Sequence, residues 1–207
     1  MNPLSRYWYR YKYRQTSYAP LFNKPSDDEL VALDCETTSL DPDKAELVSI
    51  AAIKIRGNTL VTSEPLLLSL RAPTSLNAQS IKVHGIRHQD LVNGIEEKDA
   101  MLRLIDYIGN RPIVGYYIHY DKTVLSRYTK RLLGFKLPNA EIEVSNMYRK
   151  RLEQALPNAY YDLSMEAIGH HLDLPLSGRH DALQDAISAA LIYVRLKYGD
   201  VPIPIYY

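Results

Sequence analysis

The stretch VALDCETTSLDPDKAELVSIAAIKI, residues 31–55, decides how this chain folds. VALDC (31–35) is a short apolar run of strand length, and TTSLDPDK (37–44) is rich in turn-forming residues. ELVSIAAIKI (46–55) is a longer apolar run carrying Val and three Ile, the composition of a buried strand. RGNT (56–59) reads as a turn. LVTSEPLLLSL (60–70) gives one or two further strands, with Pro65 marking an edge or a break. Beyond these strands the pattern changes. NAQSIKVHGI (77–86) and HQDLVNG (88–94) suit short helical or irregular pieces, and EEKDAMLRLIDYIGN (96–110) has helical spacing and a Gly–Asn stop. PIVGYYI (112–118) reads as a buried strand, followed by a helix from about residue 121 to Leu133 that Gly134 ends. EIEV (141–144) reads as a last strand, and helices are expected at 145–155, 163–172 and 181–197. The prolines of GDVPIPIYY (199–207) exclude a helix there. Strands first, then strands alternating with helices, predict a single α/β domain with a mixed β-sheet flanked by α-helices.

Composition narrows the function. Hydrophobic residues are 46% and charged residues 24%, which excludes a disordered chain. No apolar run reaches the roughly 18 residues of a membrane helix. A net charge of +1 excludes a uniformly basic nucleic-acid binder, while leaving room for a local basic patch. Cys35 is the sole cysteine and cannot form an internal disulfide, and the opening lacks the apolar core of a secretion signal. The expectation is a cytoplasmic protein without membrane association.

Residues 1–29 form a distinct basic, aromatic N-terminal extension. The chain has 17 Tyr against 2 Phe, and five of those tyrosines precede residue 20, four of them in RYWYRYKYR (6–14). As a strand, Tyr7, Tyr9, Tyr11 and Tyr13 would share a face; as a helix, Arg6, Arg10 and Arg14 would align. The segment could stack on bases and neutralise phosphates, pack on the domain through its tyrosines, hang free, or serve as a targeting segment.

Acidic residues at strand and helix ends carry the chemistry. Asp34 and Glu36, two apart, share one face of a strand that is otherwise apolar. About three acid–x–acid triplets are expected by chance at this composition, and Asp41/Asp43 and Glu141/Glu143 are others. Burial separates 34/36 from them, because two desolvated carboxylates call for a strand end or a cation. Asp121 follows the strand PIVGYYI; an N-cap and a ligand are both open to it. In GRHDALQDA (178–186), Asp185 lies on a largely apolar helix with His180 five residues before it. Five helical residues turn about 500°, so the two converge only if His180 lies in a loop outside the helix. Asp181 suits the helix N-cap.

LDCETTSLDP (33–42), VHGI (83–86), VGYYIHYD (114–121) and GRHDALQDA (178–186) occur in one order. Together they resemble the DEDDh group of DnaQ-like 3′–5′ exonucleases, close to the proofreading epsilon type, over roughly residues 30–196. The resemblance implies an RNase H-like fold for a domain at 30–198, with a tail at 199–207. It implies that Asp34, Glu36, Asp121 and Asp185 hold two Mg²⁺ or Mn²⁺ ions and that His180 is the general base. It further implies that Thr37, Thr38, Leu40 and His84 contact the terminal nucleotide. The expected substrate is single-stranded nucleic acid with a free 3′ end, DNA rather than RNA, released as 5′-nucleoside monophosphates. One departure stands out: the family often has Asn four residues before the middle Asp, where this chain has Tyr117.

Competing readings are an oligoribonuclease, a catalytically silent binding module, and an HD-type phosphohydrolase built on His180–Asp181. The last would be helical throughout, against the strands of 31–70; the silent module would lack a carboxylate or His180. Only about ten residues follow the last helix, which favours a stand-alone nuclease; polymerase association and a homodimer both stay open.

Overall fold

The computed structural model describes residues 3–25, 29–157, 159–176 and 181–201. Strand β1 (Glu29–Thr37) is central. It pairs antiparallel with β2 (Leu47–Arg56), which pairs antiparallel with β3 (Thr59–Ser69). On its other side β1 pairs parallel with β4 (Ile113–Gly115), and β4 with β5 (Glu141–Glu143). The order is therefore β3-β2-β1-β4-β5, a mixed sheet in which β1 is the point of change between the two kinds of pairing.

Helices cover both faces of β1, which is why its sequence is apolar rather than alternating. Val31, Leu33 and Cys35 join a core with Met101 and Leu104 of α3 (Glu97–Ile108) and Val124 and Leu125 of α4 (Ile118–Leu133). Leu30 and Ala32 face the opposite way. They pack with Tyr148 of α5 (Val144–Ala155), Ile168 of α6 (Met165–His171) and Ala189, Ala190 and Ile192 of α7 (Ala182–Tyr198). Edge strand β3 is mostly exposed and runs through Pro65, whose missing N–H does no harm on the open side of a sheet.

The strand expected over 112–118 is shorter. β4 ends at Gly115 and α4 begins at Ile118, earlier than residue 121. The cause is the backbone of Tyr117, which adopts the left-handed conformation (φ 56°, ψ 30°) and turns the chain sharply out of the sheet. Two consecutive aromatic residues resemble a continuing strand in sequence, because the reversal comes from one dihedral that no breaker residue announces.

The opening segment is a helix, α1 (Pro3–Lys12), not a strand. Tyr9 and Tyr13, four residues apart, face inward. Tyr9 stacks on Phe22 at 5.4 Å, and Tyr13 meets Phe22 at 5.6 Å and Phe135 at 5.3 Å. Arg6 Nη1 donates to the Asn23 carbonyl at 2.7 Å, pinning the helix further. Tyr7, Trp8 and Tyr11 point outward and are exposed. Phe135 lies just beyond the C-terminal end of α4, while Asp121 lies near its start. The twelve residues between Asp121 and Leu133 rise about 18 Å, so α1 packs far from that end of the domain.

Because Tyr13 is buried among four rings and Tyr11 is 63% exposed, the two should respond differently to truncation. Tyr13→Ala is expected to cost about 3 kcal/mol in urea unfolding, and Tyr11→Ala less than about 0.5 kcal/mol. Equal effects would mean that α1 does not pack through its inner face.

Candidate active site

The pairing between β1 and β4 stops at Ala32↔Val114, whereas β1 continues to pair with β2 as far as Thr37. From Leu33 onward one side of β1 is thus open, at the C-terminal ends of the parallel strands, where crevices of α/β sheets form. Gly115 lets β4 leave this closely: a Cβ there would lie 2.9 Å from the Leu33 carbonyl oxygen and 2.8 Å from Ile118 Cδ1. The crevice is a cleft of about 1680 Å³. That exceeds the roughly 300–1,000 Å³ of a small-molecule pocket.

Three of the four expected carboxylates meet there. Asp34 and Glu36 continue the face of β1 that carries Leu30 and Ala32, and this face packs against α7. Asp181 caps α7, its side chain accepting from Gln184 N at 3.0 Å, as its sequence position suggested. Asp185 follows one turn later and faces the strand. Asp34, Glu36 and Asp185 each offer one oxygen, all within 4.8 Å of one another.

Asp121 is placed differently. It is the fourth residue of α4 and buried, so it is not the helix cap. It lies beside Cys35 and raises the pKa of Asp34 by charge repulsion without belonging to the tight threesome. The capping work falls to Glu143. Its Oε2 accepts from Ile118 N at 3.0 Å, and its Oε1 from Ser145 N at 3.2 Å and Ser145 Oγ at 2.9 Å. One carboxylate thereby serves the first turns of both α4 and α5.

Burial dominates the electrostatics. It pushes the Asp34 carboxyl well above the usual range, with Asp121, Glu36 and Asp185 adding repulsion. Glu36 rises to about 7, through burial first and then Asp185 and Asp181. Asp121 also rises, mainly through burial, with its own backbone N–H and then Cys35 opposing the shift. Such a set is unfavourable unless protons or a cation neutralise it. The donors are all hard carboxylate oxygens, which fits Mg²⁺ or Mn²⁺ rather than a soft metal.

The other expected contacts line the same cleft. Thr37 Oγ1 shares a 2.6 Å hydrogen bond with the Tyr120 hydroxyl, which also donates to the Ser39 carbonyl. Thr38 Oγ1 bonds Ser75 Oγ at 2.7 Å and accepts from Glu46 N at 3.1 Å, so this loop is fixed from both sides. Leu40 is 93% exposed at the mouth. His84, the last residue of α2 (Ala78–His84), is buried, and its Nδ1 accepts from Ile86 N at 3.0 Å. Gly85 ends α2 in the left-handed conformation (φ 76°), which accounts for the glycine of VHGI. His180 lies outside the described residues.

Sequence reasoning missed Cys35, Tyr120 and Glu143. Cys35 carried no signal except its place between two acids. Glu143 belongs to the Glu141/Glu143 triplet that chance alone accounts for, and its position before two helix starts becomes meaningful only in three dimensions.

Comparison with known proteins agrees with this geometry. The exonuclease family model RNase_T matches residues 31–193. The epsilon subunit of DNA polymerase III from Aquifex aeolicus is 25% identical over 180 residues, covering 84% of this chain and 85% of its own. The PolC-type DNA polymerase III of Thermotoga maritima is 24% identical over 189 residues, which are 88% of this chain and only 13% of that one. Among solved structures, E. coli exonuclease I in complex with a dT13 oligonucleotide superposes with a TM-score of 0.69 at 15% identity. That match covers 82% of this chain and 41% of exonuclease I.

Desolvated like charges predict a cation response that does not require turnover. Adding Mn²⁺ to EDTA-treated protein should raise the thermal midpoint, by about 2.7 kcal/mol of stability at a hundredfold excess over Kd. Asp34→Asn should remove that response and, in EDTA, melt above the wild type. A wild-type midpoint indifferent to Mn²⁺ would rule out the cluster as a cation site.

Proposed function

The chain belongs to the RNase_T exonuclease family, the DnaQ-like 3′–5′ exonucleases of RNase H-like fold, and we propose that it trims single-stranded DNA from the 3′ end to 5′-nucleoside monophosphates. The observation that carries this is the convergence of Asp34, Glu36 and Asp185 in an open cleft, with Asp121 beside them. Of the two relatives, each matching more than four-fifths of this chain, one is a subunit of DNA polymerase III and the other a PolC-type DNA polymerase III, which supports DNA over RNA.

In this mechanism the four carboxylates hold two divalent cations, Mg²⁺ or Mn²⁺. When bound, the cations supply positive charge against the phosphate and lower the pKa of water. The remaining work belongs to the chain. Thr37, Thr38, Leu40 and His84 hold the terminal nucleotide in the cleft, the threonines on a loop that Tyr120, Ser75 and Glu46 keep in place. His180 takes the proton from the attacking water, the general-base task that a histidine side chain performs most often. The water oxygen bonds phosphorus, the bond from phosphorus to the 3′ oxygen breaks, and that oxygen takes a proton from solvent to become a new 3′-hydroxyl while His180 returns its own to solvent. Residues 1–29 and 199–207 flank the catalytic domain in this scheme, and no helix among the described residues is long and apolar enough to cross a membrane. We place the enzyme in the cytoplasm, where a nucleic-acid substrate is available.

The test is a time course on 5′-labelled DNA and RNA oligonucleotides with Mn²⁺, with Mg²⁺ and with EDTA. A ladder that shortens from the 3′ end only with metal, and faster on DNA, is the expected result. Asp34→Ala should abolish it, and His180→Ala should lower kcat by about 10²–10⁴-fold with little change in binding. Faster trimming of RNA would reassign the substrate to oligoribonucleotides. Near-normal turnover by His180→Ala would remove it as the base.

A further inference from the structure

Tyr117 is out of keeping with its position. It is one of two non-glycine residues at positive φ among the described residues, the other being Asp173. Short polar residues such as Asp and Asn tolerate that conformation, whereas a bulky aromatic side chain strains it. Nothing local offsets the strain. Tyr117 occupies the N-cap of α4 without a side-chain capping bond, and Glu143 performs the capping instead. Nor does the ring contribute much burial, since Tyr117 is 64% exposed. An asparagine there would take the backbone angle easily and could cap the helix.

The exposed ring borders the cleft that holds the carboxylates. It meets the Tyr116 ring edge-on, with centroids 4.5 Å apart and planes at 66°. Tyr116 is itself tethered, its hydroxyl donating to the Leu163 carbonyl at 2.9 Å. One edge of Tyr117 is therefore braced while much of the ring stays open to solvent beside the site. Strained backbone that persists next to a reaction centre points to a ligand contact.

The loop carrying Thr37, Thr38 and Leu40 follows β1 and meets the first turn of α4 through Tyr120, whereas Tyr117 precedes that turn at the end of the neighbouring strand β4. We propose that Tyr117 is a specificity-determining residue whose ring stacks on a base of the bound strand upstream of the 3′-terminal nucleotide. This rests on the nuclease reading of the cleft given above. Aromatic stacking tolerates any base, so the contact selects for a strand over a single nucleotide rather than for sequence.

The experiment compares an oligothymidylate with the p-nitrophenyl ester of thymidine 5′-monophosphate, which has no upstream base. Wild type, Tyr117→Asn and Tyr117→Phe are assayed on both with Mn²⁺, and their thermal midpoints are recorded. In Tyr117→Asn the ratio of kcat/KM on the oligonucleotide to that on the ester should fall about tenfold, while the midpoint rises as the backbone strain is relieved. Tyr117→Phe keeps the ring and should keep the ratio. An unchanged ratio in Tyr117→Asn, or an equal fall in Tyr117→Phe, would overturn stacking even with a fully active wild type. A wild type that hydrolyses neither substrate would overturn the nuclease reading and this inference with it.

Discussion

The mutual repulsion and desolvation of carboxylates at the end of β1 is the constraint to which the rest of the structure answers. A single buried carboxylate is costly, and here Asp34 is burdened by burial and by Asp121, Glu36 and Asp185 together. Holding them in place requires a rigid frame. β1 supplies it by pairing continuously with β2 on one side while β4 departs on the other. The strand is therefore braced where its side chains need support and open where a substrate must enter. Apolar packing on both faces of β1 gives the frame its stability.

Helix starts complete the frame. α4, α5 and α7 all begin around the cleft, bringing unpaired backbone N–H groups to the same end of the sheet. Glu143 serves two of these starts and Asp181 the third. The acids near the cleft thus divide by task. Some satisfy helix termini and keep ordinary hydrogen bonds, while Asp34, Glu36 and Asp185 face one another across open space. Asp121 stands between the two groups, in the first turn of a helix yet beside Cys35 and pressing on Asp34.

The N-terminal segment follows a separate logic. Its tyrosines are divided by helical geometry into an inner pair that builds an aromatic cluster with Phe22 and Phe135 and an outer set that is exposed. The cluster sits at the far end of α4 from the carboxylates. Its contribution to the domain is packing of that distal end, where Gly134 and Phe135 turn the chain away from the helix.

The strands at 31–37 and 47–56 were legible because both faces are buried, so a continuous apolar run identifies them. Asp34 and Glu36 were legible as interruptions of such a run, and α7 as a long apolar helix with an Asp cap. The end of β4 was not, since one left-handed dihedral at Tyr117 ended it without a Gly or Pro. Neither was the choice of helix for residues 3–12, because alternating Tyr and Arg satisfy a period of two while Tyr9 and Tyr13 also satisfy a period of four. By itself the sequence determined which elements follow residue 29, their order and the acids that interrupt them, because burial and periodicity are local properties of a chain. Only the tertiary structure decided that Asp185 meets Asp34 and Glu36, that Glu143 caps two helices and that Tyr117 borders the cleft. Those relations depend on where separate elements end in space, and no local pattern encodes that.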